Sequence, residues 1–435
     1  VRDSTQAFAA AINSLLSCGG MRNGANQTDL GGAILDLSGG VFAVSQPVSI
    51  PSGYANYRIE DGTLIAHPTF GTGADRFLLQ LGGICGSATA GLSKNCATDI
   101  SVSQVTLDGR DMAWGGVSLT SAVDINVGPQ VMVIGFQGVG IKLSGCGAGY
   151  VHDSWVGQYE AGDSKHSRSE ANATAILFVD GEHDSDLENI IVFSGKIGVN
   201  STNGANRIQG VHTWNLAGSS GGTGILLHNG AGRVQDAYLD YAPLDIRSPQ
   251  NVQVTGCLFL GSSNIVLATA KKWPKAPVSH SIDNMIITSN RWNTGNKANT
   301  TIMLDETLGP FTTLIDSVVE DNEVGAKHTA SAGPKKGTRA TMSMSVPPGK
   351  DQVQFDFSEA LIMPAAVGIS EVRCWLSVAP SQGTAWSFAS GLSTQVLGGN
   401  KLRVMLGEPV PTDAEAGTVT VTCDVDQSQR SCAAH

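Results

Sequence analysis

Between Val131 and Leu267 one short phrase returns in altered form: Val133 to Gln137, Trp155 to Gln158, Ile191 to Ser194, His212 to Asn215, Tyr238 to Asp240 and Leu258 to Gly261. Most copies are followed by a second apolar run, as in Gly138 to Ile141, Lys196 to Val199, Gly224 to Leu227 and Asn264 to Leu267. The phrases end at 137, 158, 194, 215, 240 and 261, so successive steps are 21, 36, 21, 25 and 21 residues. A repeat of roughly 20 to 25 residues, made of short strands with Gly and Asn at the corners, predicts the coil of a β-solenoid.

The rest of the chain agrees with that reading. Its 435 residues include 53 Gly and only 15% charged side chains, with many short β-branched runs bounded by Gly, Asn, Asp and Ser. Such runs predict strands and turns throughout. Solenoids grow along one axis, so residues 1–330 are expected to form one long domain. Its one helix is predicted over Asp3 to Leu16, where Phe8, Ile12, Leu15 and Leu16 form a stripe and Asp3 or Ser4 supplies the N-cap. A helix there covers the open edge of the first coil. After a linker at Ala330 to Gly337, period-two alternation in 338–430 predicts a small antiparallel β-sandwich, with capping of the solenoid as its expected role.

Asp3 to Ile12, Gly32 to Leu37, Gly40 to Ser45 and Val48 to Pro51 together resemble the opening of the pectate-lyase superfamily of right-handed parallel β-helices. That resemblance implies an all-β, right-handed parallel β-helix, and it specifies fold better than chemistry. Phe193 to Val199, Gly210 to His212, Gly221 to Ile225, Tyr238 to Tyr241 and Phe259 to Gly261 are similar to the Quartet-type, polygalacturonase-like proteins of plants. The Asn-Thr-Asp, Asp-Asp, Gly-His-Gly and Arg-Ile-Lys motifs of ordinary polygalacturonases are absent, and Arg207 to Gln209 echoes only the last. The catalytic residues of that family therefore do not transfer.

Other features bound the setting. No run of eighteen apolar residues occurs, so no membrane helix is expected. The start at Val1 without a basic-then-apolar leader, the sequons at Asn26, Asn172, Asn200 and Asn299, and eight cysteines fit a secreted glycoprotein. Cys85 with Cys96 and Cys374 with Cys423 are candidate disulfides, and Cys146 and Cys257 suit the coil interior. A net charge of −11 argues against a nucleic-acid partner. The spacing of Asp180 to Glu188 fails a calcium-loop template and no zinc pattern appears, so neither a metal nor another cofactor is expected.

Residues in one column of neighbouring coils lie about 4.7 to 4.9 Å apart. Aligning the phrase ends sets Gln137, Gln158, Ser194, Asn215, Asp240 and Gly261 in one column, a polar ladder on which an extended polysaccharide would lie. The competing reading is a solvated face or an inward hydrogen-bonded ladder. The long step leaves about 15 surplus residues as a loop between Tyr159 and Ala173, beside that column.

Glycoside hydrolysis needs an acid for the leaving oxygen and a carboxylate for water or the sugar. Asp240, between Tyr238 and Tyr241, is the first choice, with Asp163 or Glu160 of the loop as partner. Three coils separate Asp163 from Asp240, roughly 14 Å, so the loop would have to fold back over the groove. His212, Lys196, Gln158, Asn215, Arg168 and Tyr241 are the candidate sugar contacts, with Lys196, Lys165 and Arg168 placed to pair with uronate carboxylates. The expected function is hydrolysis of an acidic, pectin-like polysaccharide. A lyase using Lys196 or an arginine as base, and a wall-binding protein without catalysis, are the alternatives.

Overall fold

A computed structural model describes the chain apart from residues 1, 18, 20, 23–26, 84–96, 159–171, 194, 203–204, 215–221, 230–231, 272–275, 294–300, 325–336, 359, 363–368, 380–390, 411, 413–417 and 429–435. The chain winds into a right-handed parallel β-helix whose coils each lay down three strands. The first and second strands of a coil run on as one bent ribbon, and these ribbons pair in parallel into an 18-stranded sheet. The third strands form a separate parallel sheet of ten, from Val48–Ile50 to Ile302–Asp305. We call these the first, second and third sheets of the solenoid.

The bend between the first two sheets is one residue in the left-handed region, as at Asp61 (φ 59°), Asp153 (45°), Asn189 (52°) and Asp236 (51°). Asp and Asn tolerate that conformation better than other side-chain-bearing residues, which explains their recurrence at the corners. Where one corner side chain lies over the next corner, glycine is required. A Cβ at Gly256 would meet Asp236 Oδ1 at 2.3 Å.

Alternate residues point inward and stack rung on rung. In the second sheet Val156, Val192, Thr213, Leu239, Phe259 and Trp292 continue one another, and the last two rings stack at 4.8 Å. Each buried aliphatic or aromatic side chain contributes roughly 1.5 to 3 kcal/mol of hydrophobic stabilisation. Cys146 and Cys257 are free thiols inside this core, and burial pushes them up to about 11 and about 12.

The helix Thr5–Ser17 closes the first coil, as its stripe predicts. Phe8, Ile12 and Leu15 are buried, with Phe8 set edge-on to Phe42 at 5.5 Å. Asp3 Oδ1 accepts the Thr5 N–H at 3.0 Å, and Asp3 Oδ2 accepts the Ser45 hydroxyl at 2.6 Å, which ties the helix start to the first ribbon.

Beyond the solenoid, Arg339–Val346, Thr418–Asp426 and Glu371–Ala379 form one antiparallel sheet, and Gln352–Asp356, Lys401–Met405 and Ser393–Gly398 form another. Phe355, Phe357, Leu402, Val404 and Val421 give this sandwich a core of its own. Cys374 and Cys423, opposite each other on neighbouring strands, form a disulfide. The sandwich sits on the last coil: Ile362 enters the solenoid core, the Thr338 N–H donates to the Val319 carbonyl, and Arg339 bridges Asp426 and Glu320. Among the described residues no helix is long and apolar enough to cross a membrane.

Candidate functional site

The sequence-selected residues scatter. Asp163, Glu160, Arg168, Lys165 and Asn215 lie outside the described residues, as do Cys85 and Cys96. Gln158 is 2% exposed, with its Nε2 donating to the Phe136 carbonyl at 2.9 Å, so the expected outward ladder is corrected at this rung. The ladder's register also shifts. Asp240 pairs with Leu260, and extending the pairing of Thr213 with Leu239 by one residue sets Trp214, not Asn215, beside it. Phrases of unequal length run different distances past the strand, so aligning their ends displaced the column. Lys196 is exposed and has no side-chain partner among the described residues.

An aromatic cluster faces outward on the middle rungs of the second sheet. Trp155 lies diagonally next to Phe193 at 5.7 Å, and Phe193 meets Trp214 edge-on at 4.9 Å. Ile191 and Trp214 are exposed on this face at 46% and 43%. His212 and Tyr238 follow, with rings 4.2 Å apart. Asp240 Oδ1 and His212 Nε2 are both buried without a hydrogen-bond partner. Burial raises the Asp240 carboxyl above its ordinary value, with His212 opposing, and burial lowers His212. Tyr241 takes a left-handed corner (φ 58°), and its ring lies over Gly261, where a Cβ would meet it at 2.3 Å.

The third sheet carries a cluster that sequence reasoning missed. Its outward column runs Asn200, Leu226, Asp245, Val266 and Met303, and the column beside it runs His228, Arg247, Ala268 and Asp305. Leu226 and Val266, the neighbours of Asp245 above and below, are only 4% and 9% exposed although they point away from the core. Asp245 is thus recessed between two desolvated aliphatic side chains. Its Oδ2 accepts Arg247 Nε and Nη2 at 3.2 and 3.1 Å, while its Oδ1 is buried and unpartnered, as is Asn200 Oδ1.

Burial therefore raises Asp245 above the usual carboxylate range, with Arg247 offsetting part of it and Asp305 adding to it. Asp305 moves the other way, because the hydroxyl and N–H of Thr307 both donate to its Oδ1. Half-buried His228 is lowered by desolvation and by Arg247. Two carboxyls of opposite proton affinity, one of them paired with a cation, can supply an acid and a base. Period-two spacing of Asp245 and Arg247, with His228 a coil earlier, was the available signal. It went unused because the phrase alignment followed the second sheet.

Two further groups are accounted for locally. Arg207 is paired with Asp186 at 3.1 and 2.9 Å, and Glu188 accepts the Tyr150 hydroxyl at 2.9 Å, so this first-sheet cluster is internally satisfied. Within 180–188, Asp180 accepts the Ser144 hydroxyl and Glu182 is buried against Asn206, so this stretch is a structured corner. Of the sequons, Asn172 is exposed whereas Asn200 lies within a strand with its Oδ1 buried, a poor acceptor for a glycan.

The fold is a right-handed parallel β-helix. The sequence is similar to polygalacturonase QRT3 of Arabidopsis thaliana, 26% identical over 373 residues, which covers 83% of this chain and 71% of that protein. Among solved structures, ORF18 of Geobacillus virus E2 superposes with a TM-score of 0.55 at 12% identity, covering 96% of this chain and 75% of that one, a likeness of fold. No family model matches the chain.

Proposed function

We propose that the protein is a secreted carbohydrate-active enzyme that hydrolyses a pectin-like polysaccharide at the third-sheet cluster. The observation that carries this reading is the recessed Asp245, paired with Arg247, and the more open Asp305 two rungs on, two carboxyls of opposite proton affinity. The proton sits on Asp245 Oδ1, the atom left without a partner, and passes to the glycosidic oxygen as the carbon–oxygen bond breaks. Asp305 accepts a proton from the water that attacks the opposite side of the sugar through Oδ2, its Oδ1 being held by Thr307. Solvent then restores both groups.

The two strands stand two rungs apart, roughly 9 to 10 Å along the axis. Asp305 also lies two residues along the strand from the column of Asp245, so the pair is too far apart for retention, and it reaches the about 6.5 to 9.5 Å of an inverting pair only by the two side chains leaning toward each other across the sugar. Arg247 offers a uronate carboxylate a charged contact, and His228, whose hold on a second proton is lowered, offers a ring N–H. The similarity to a polygalacturonase supports the substrate class.

A second reading keeps Asp240 as the acid, with Asp163 or Glu160 as its partner and His212, Lys196 and Tyr241 as sugar contacts. Its support is the buried, unpartnered Asp240 Oδ1 and the raised carboxyl. One assay separates the readings: polygalacturonate and esterified pectin, followed for new reducing ends and for ultraviolet absorbance. Reducing ends lost in folded Asp245→Asn and kept in Asp240→Asn support the first reading, and the reverse supports the second. Absorbance at unsaturated ends would mean a lyase, and silence of the parent on every polymer would mean neither.

A further inference from the structure

We infer that the outward aromatic strip of the second sheet is a separate glycan-binding platform, one that takes an uncharged or esterified sugar chain lying along the solenoid axis. Met132, Trp155 and Ile191 follow one another on three rungs, and Phe193 and Trp214 continue the strip on the neighbouring column. The Phe193 ring can lie toward Trp155 because Gly157 leaves that place empty: a Cβ there would meet the Phe193 carbonyl oxygen at 2.0 Å and its Cβ at 2.9 Å. The strip is exposed where soluble proteins ordinarily scatter such side chains singly.

Three features select a sugar chain as the occupant. Aromatic faces stack on the C–H faces of pyranose rings, and the rungs repeat about every 4.7 to 4.9 Å, close to the rise of one extended sugar. The strip ends at His212 Nε2 and Asp240 Oδ1, two buried polar atoms without partners, which suit hydroxyls. Among the described residues its outward strand positions hold no Lys or Arg from Met132 to Trp214, whereas a run of free uronates requires cations. The platform and the third-sheet cluster thus suit different stretches of a pectin-like polymer, one esterified or neutral and one acidic.

The test is affinity electrophoresis of the full chain carrying Asp245→Asn, in gels holding highly methyl-esterified galacturonan or de-esterified polygalacturonate, at low and high salt. The expected result is retardation by the esterified polymer that salt does not abolish, weakened at least roughly tenfold by Trp214→Ala or Trp155→Ala. Lys142→Ala, on another face, should leave it unchanged. Salt-sensitive binding to polygalacturonate that Trp214→Ala or Trp155→Ala weakens would overturn the inference, because it would put the acidic stretch on the strip. So would binding that ignores both tryptophans, or a concentration-dependent dimer lost in Trp214→Ala, which would make the strip an interface between copies. The readout needs no hydrolysis, so it stands apart from the fate of the catalytic proposal.

Discussion

On the third sheet the outward residues directly above and below Asp245, Leu226 and Val266, are nearly closed to solvent, while on the second sheet Ile191 and Trp214 stand open, although both faces are built from the same coils. The closed spot holds Asp245 between Leu226 and Val266, with Arg247 reaching it from the exposed side, and the open strip holds Trp, Phe, Ile and Met. Water usually arranges the opposite, with charges exposed and apolar groups hidden. On the proposed reading, the two outward faces are set by what they bind, since the inward stacks already hold the fold. Desolvation raises the proton affinity of Asp245, and exposure leaves the Trp214 ring open to a ligand.

The largest effect that would break this comparison lies at the carboxyls. Asp245→Asn and Asp305→Asn should each lower kcat by about 10²-fold or more while leaving thermal unfolding nearly unchanged. Trp214→Ala should leave kcat on a short soluble oligosaccharide within about twofold and act only through the polymer. Equal losses from all three variants on the short substrate would merge the two faces into one site.

The next effect is in the pH profile. Asp245 must hold its proton, so activity is lost as pH rises through its raised value. Asp305 must be ionised, so activity is lost as pH falls through its lowered value. The profile of kcat/KM should be a broad bell, with an alkaline limb above the ordinary carboxylate range near 3.9 and an acid limb below it. An acid limb that survives Asp305→Asn unchanged would remove Asp305 from the base role. Asp240 is also raised, so Asp240→Asn is the control: on the proposed reading it leaves the alkaline limb in place.

These contrasts also mark what was legible in the sequence. The solenoid, the capping helix and the alternating tail could be read because each repeats a local rule: Asx or Gly at left-handed corners, apolar residues every second position, an N-cap before a stripe. The site depends on which outward residues share a column, and a one-residue error moves every assignment. Asn215 was placed beside Asp240 where the structure has Trp214, and Gln158 proved to be an inward-bonded residue. Asp245 was passed over because its importance comes from Leu226 and Val266, which are 19 and 21 residues away in sequence and adjacent only across rungs.

The subtlest test rehydrates the closed spot without touching its charges. Val266→Ser and Leu226→Ser replace aliphatic neighbours of Asp245 that point away from the core, so the inward stacks stay intact. Water admitted there stabilises the ionised carboxylate, which lowers the proton affinity that burial had raised. The alkaline limb should move down by roughly one pH unit in the double variant. Removing Arg247 instead should move it up, because the guanidinium favours the ionised form. Ile191→Ser makes the same change of side chain on the open face and should leave the limb where it was. If Ile191→Ser moved the limb and the Leu226 and Val266 changes did not, the proton that matters would belong to Asp240, and the roles of the two faces would have to be exchanged.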